Sequence, residues 1–181
     1  MRRRILTVFA ALAVTVSAAD GLKSDPWQPV RFLVGRWTGT VQGEAGNGTV
    51  ARSYEFTLGG QFIEERNTST YPAQQKNRKG EVHEHRGFVS YDRKRQTLVL
   101  RQFHQEGFVN TYVLNAVESR GNLLVFDSES FENLDNGYKA RATFEIYSSD
   151  EFIETYEVAE PGRALDLYSR TRFTRIGRAT G

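Results

Sequence analysis

From residue 36 onward, apolar and polar residues alternate with a period of two. Tyr54, Phe56 and Leu58 stand against Ser53, Glu55 and Thr57, and Ala140, Ala142, Phe144 and Ile146 stand against Lys139, Arg141, Thr143 and Glu145. Successive side chains of a strand leave opposite faces, so this pattern predicts strands with one buried face. Each alternating segment is short and bounded by turn formers, which places candidate strands at 36–42, 50–58, 61–71, 82–91, 97–105, 108–118, 122–131, 139–148, 151–159 and 165–176. Gly59-Gly60 is the clearest hairpin signal, because primed two-residue turns need positive φ at both central residues. The longest polar loop is 72–80, and 29–34 predicts a single helical turn that Gly35 ends.

Ten short strands with no helical stretch between them predict an all-β fold, an antiparallel meander behind a short N-terminal helical turn. Closing that meander into a β-barrel removes the exposed edges that invite aggregation. A two-sheet sandwich is the alternative.

The opening of the chain changes the picture of where the domain begins. Arg2, Arg3 and Arg4 precede an apolar run over 5–16 and the small residues Ser17-Ala18-Ala19, the three parts of a cleaved secretory signal. Residues 1–19 are therefore expected to be removed, leaving 20–181 as a single exported domain, periplasmic or secreted. The run falls short of the roughly 20 residues that span a bilayer, so no stable membrane insertion is expected after cleavage. With 24 basic and 22 acidic residues the chain carries a formal charge of +2. Three of those arginines belong to the signal and no acid does, so the mature domain has a net charge of −1. That excludes the large positive field that nucleic-acid backbones require. There is no cysteine, so an exported fold is held by its core and not by disulfides.

The candidate chemistry concentrates in residues 80–114, which hold all three histidines. His83 and His85 are two apart on one strand and leave the same face. If the 92–96 turn pairs Tyr91 with Thr97, Glu84 falls opposite His104 and the two other histidines face away. A one-residue offset puts His85 opposite His104, and three imidazoles then converge as a zinc or iron site with an open position. Otherwise the histidines line a polar cavity or bond at the strand surface. Arg101, Gln102, Tyr112, Tyr168 and Arg170 complete the candidates for a ligand pocket, since a buried arginine clamps a carboxylate bidentately. Glu64, Glu65, Glu84, Glu106 and Glu154 offer carboxylates for acid/base work, but their spacing singles out no pair. No nucleophile elbow, phosphate loop or dinucleotide fingerprint is present.

Gly35-Arg36-Trp37, after the helical turn and opening the first strand, resembles the G-x-W start of the calycin barrels, the lipocalins and their relatives. The resemblance implies that Trp37 plugs a closed barrel end against an arginine of the last strand, Arg172 or Arg170, by cation–π stacking. His83-x-His85-x-Gly87-Phe88, the apolar strand after it and Glu106-Gly107 are similar to the middle of the nitrobindin-like heme-binding β-barrels, as is Gly35-x-Trp37-x-Gly39. That family binds heme through a histidine near its C-terminus. Here no histidine follows His104, so a heme would need a central histidine or Tyr168. The sequence thus points first to an exported barrel that binds a small, partly apolar molecule. A heme or metal protein, and an acid/base enzyme acting inside the barrel, are the alternatives.

Overall fold

A computed structural model describes residues 25–177; the expected signal at 1–19 lies outside the described residues. A short 3₁₀ turn, Arg31–Leu33, precedes ten strands: β1 (Gly35–Gly43), β2 (Gly46–Thr57), β3 (Phe62–Tyr71), β4 (Glu81–Asp92), β5 (Thr97–His104), β6 (Val109–Leu114), β7 (Leu123–Glu132), β8 (Lys139–Ser148), β9 (Glu151–Ala159) and β10 (Asp166–Arg175). Every strand pairs antiparallel with its neighbours in sequence, and β1 pairs with β10 to close the barrel, which sets the sandwich alternative aside. No helix among the described residues is long and apolar enough to cross a membrane.

Most boundaries follow the alternation, and two depart from it for identifiable reasons. β6 stops at Leu114, short of the expected 118, because the Asn115 side chain accepts hydrogen bonds from the N–H groups of Val117 and Glu118 and turns the chain. β2 starts at Gly46 instead of 50 because Gly43 and Gly46 already face one another across a tight turn. Gly59 and Gly60 both adopt positive φ, but β2 and β3 pair last at Thr57 and Phe62, so the turn spans four residues, 58–61, and not the expected two, with Leu58 at positive φ as well.

One end of the interior is filled. Trp37, Phe152 and Phe173 are fully buried there. The Phe152 ring meets the Trp37 ring edge-on at 4.7 Å and stacks on Phe173 at 4.7 Å. Trp37 Nε1 donates to the Leu33 carbonyl at 2.7 Å, which ties the 3₁₀ turn across the barrel end. An arginine does stack on Trp37, but it is Arg175, whose guanidinium lies 4.1 Å from the ring centre and donates to the carbonyls of Val34 and Phe32. Register explains the choice, because Arg175 is the residue paired with Trp37. Arg172 is exposed on the outer face in an ion pair with Glu151.

Candidate functional site

The other end of the interior is polar and hollow. A cavity of about 260 Å³ is lined by residues from all ten strands, reached past Tyr71, Phe131, Leu134, Tyr138 and Tyr168. Its wall on β4 and β5 holds the histidines, and the hairpin between those strands decides their geometry. Asp92 Oδ1 accepts hydrogen bonds from the N–H groups of Lys94 and Arg95, and Gln96 takes a left-handed φ of 55°. This turn pairs Asp92 with Thr97, and the ladder then sets His85 opposite His104. Of the two registers open at the sequence level, it is the one that brings the histidines together.

The three rings lie with centroids 5.1 to 5.9 Å apart. His83 Nε2 and His104 Nδ1 are 3.2 Å from one another. Each outer nitrogen has a polar neighbour: Glu106 Oε1 sits 2.9 Å from His83 Nδ1, and Asn110 Nδ2 sits 3.2 Å from His104 Nε2. His85 Nε2 has Glu65 Oε1 and Gln102 Nε2 both at 3.4 Å, whereas its Nδ1 is buried without a hydrogen-bond partner. Phe108 stacks on His104 with centroids 4.2 Å apart. Burial pushes the His104 imidazole down to about 3, and the charges His83 and His85 would carry push the same way, so His104 is neutral at physiological pH.

Beneath the histidines lies a buried charge cluster that the spacing of the sequence did not single out. Arg52 on β2 donates to Asn67 Oδ1 at 2.8 Å and to Glu154 Oε1 at 2.9 Å, and its Nε lies 3.3 Å from Glu65 Oε1. Tyr54 donates to Glu65 Oε1 at 3.1 Å and Gln102 to Glu65 Oε2 at 3.0 Å. Burial alone would raise the Glu65 carboxyl, but Arg52 and the hydrogen bonds from His85 and Gln102 prevail and hold it well below the usual carboxylate range. Gly87, paired with Glu65 across the ladder, makes this close approach workable: a Cβ there would lie 2.4 Å from Glu65 Oε2.

The other candidates separate by strand face, which parity gives on β5 and which on β10 is reset by the bulge between Leu167 and Ser169. Gln102 lines the cavity, and Tyr112 is fully buried behind it, its hydroxyl 2.8 Å from that of Tyr156. Tyr168 stands at the mouth, edge-on to Tyr156. Arg101 and Arg170 are not in the cavity; both are exposed on the outer face, bonded to Ser90 and Thr155 respectively. Of the five glutamates considered, Glu65 and Glu154 point inward with Arg52, Glu106 borders the mouth beside His83, Glu64 pairs with Arg66 outside, and Glu84 is exposed on the outer face beside Thr68. The inward arginine is thus Arg52, which parity with Val50 and Tyr54 would have shown.

No protein-family model and no curated protein matches the chain. Among solved structures it is similar to the one described as the crystal structure of Rv2717c from M. tuberculosis, with a TM-score of 0.59 and 13% sequence identity over 85% of this chain and 99% of that one. At that identity the likeness speaks for the shared fold and no further.

Proposed function

We propose that this barrel binds a compact, partly apolar small molecule that is neutral or positively charged. The observation that carries the reading is the charge balance of the cavity. Among the described residues Arg52 is the one arginine or lysine lining it, and it is committed to Glu65, Glu154, Asn67 and Tyr54, so two carboxylates face one guanidinium and no arginine or lysine is left for an anionic ligand. A fatty-acid-type carboxylate clamp is therefore disfavoured by the same desolvation cost that keeps buried charges paired. The volume of about 260 Å³ falls just under the ~300–1,000 Å³ of clefts that bury drug-sized ligands. It suits a compact molecule better than a tetrapyrrole, which would need Tyr168 or a central histidine as its iron ligand. The aromatic mouth supplies the apolar contacts.

Titration of the chelator-treated chain with benzylamine and benzoate, two compact aromatic probes of opposite charge, tests this. Saturable binding of the amine with little response to benzoate is expected, and Ala142→Phe, which fills the cavity wall, removes it. A preference for benzoate, or equal binding by Ala142→Phe, contradicts the reading. We place the protein outside the cytoplasm on the strength of residues 1–19. Protein from its own host is then expected to begin at Asp20; an intact Met1 would contradict that placement.

A further inference from the structure

We infer that His83, His85 and His104 together hold one divalent transition-metal ion, with a further coordination position open to the cavity. The chain has three histidines and no cysteine, so its entire supply of imidazole and thiolate ligands for a borderline metal converges at one place. One nitrogen from each ring lies within 4.8 Å of the other two, a spacing that small ring rotations tighten onto ligand distances of about 2.0–2.1 Å.

The outer partners orient the rings for this. Ionised Glu106 at His83 Nδ1 favours the proton there and leaves Nε2 as the lone pair facing inward. At His85 Nε2 the ionised Glu65 can only accept, so the proton sits on Nε2 and points at Glu65, while the Gln102 amide nitrogen, a donor, already donates to Glu65 Oε2. The unpartnered buried Nδ1 of His85 is then a lone pair with nothing to receive it, which a metal ion supplies. For His104, turning the Asn110 amide over brings its oxygen, which has no hydrogen-bond partner and is buried, to His104 Nε2 and frees Nδ1 for the ion. The surplus of carboxylate over guanidinium beneath the site also favours an added cation. Imidazole ligands select zinc, copper, nickel or iron over the oxygen-seeking calcium and magnesium. Three protein ligands with one position left over mark a site that exchanges a ligand, not a closed structural one.

The ligand charge preference above is that of the metal-free chain, so the two readings fail separately, and the test of this one uses the metal alone. The mature, tag-free chain is stripped with chelator, dialysed against zinc, and assayed by elemental analysis; cobalt(II) serves as an optical probe. One zinc per chain and the visible bands of four-coordinate cobalt are expected. His85→Gln and His104→Gln should each weaken zinc binding by more than the ~10–100-fold that losing an outer partner costs, and Glu106→Gln by that smaller amount. His85→Gln is decisive, because His83 also lies beside Glu81 and Glu106 in an exposed cluster that lacks His85. If circular dichroism shows His85→Gln folded and its zinc stoichiometry and affinity are those of the wild type, the inference fails. Absence of stoichiometric zinc in the wild type overturns it as well.

Discussion

Around Trp37 the barrel interior is packed with aromatic rings and sealed by a guanidinium that caps two backbone carbonyls, whereas around His85 it holds two inward carboxylates, a buried arginine and three imidazoles, of which that of His85 is buried, beside a hollow. The same strands run through both halves. β9 contributes Phe152 to the first and Glu154 to the second, two residues apart on one face, and β4 contributes Val89 and His85, four apart on one face. The aromatic half gains stability from burial. The polar half spends desolvation energy on charges that must be paired and keeps a volume unfilled, which supports the ligand binding proposed above.

Substitutions should divide along that line. Phe152→Ala opens a void in the filled end and is expected to cost ~3–5 kcal/mol in denaturant unfolding, with benzylamine and zinc binding by the folded fraction unchanged. Arg175→Ala removes the stack on Trp37 and strands the carbonyls of Val34 and Phe32, costing about 2–3 kcal/mol by the same measurement, again without effect on binding. Gly87→Ala pushes the Glu65 carboxylate away from Gln102 and His85. It is expected to cost ~1–3 kcal/mol and, unlike the first two, to weaken zinc binding. A Gly87→Ala protein that lost stability but bound normally would erase the distinction between the halves.

Alkaline pH gives a smaller handle on the polar half. Burial pushes the Tyr156 hydroxyl up to about 12, against roughly 10 in the unfolded chain. Between those values the unfolded state has released a proton that the folded state keeps, so this contribution is fully present below about pH 10 and is lost as pH rises toward 12. Tyr156→Phe should therefore show a fall of stability with pH that is shallower by about 1.4 kcal/mol per unit in that window. Smallest of all, Arg101→Ala and Arg170→Ala on the outer face should stay within about 0.5 kcal/mol of wild type and leave benzylamine affinity unchanged.

The barrel itself was legible because alternation and turn residues act locally: the bounds of β8 and β9 are those read from the sequence. The direction of Arg101 was not. Leu98, Val99 and Leu100 are all buried, so the run carries no alternation to say which of Arg101 and Gln102 points inward. The meeting of the histidines depended on a single residue of register, fixed by the Asp92 side chain and by a left-handed Gln96, a residue type that does not announce that conformation. The partner of Trp37 was a question of pairing as well, since Arg175 shares a face with Phe173 and Arg172 does not. What sequence pattern leaves open here is long-range registration, and the candidate site is built from it.

The division of the interior is tested most directly by following side-chain and backbone NMR resonances of the chelator-treated chain as benzylamine is added. Saturable shifts confined to His85, Asn110, Tyr156 and their neighbours, with Trp37 and Phe152 still, are predicted. Shifts scattered over the outer face, or centred on Trp37, would contradict the assignment of the polar half as the binding site.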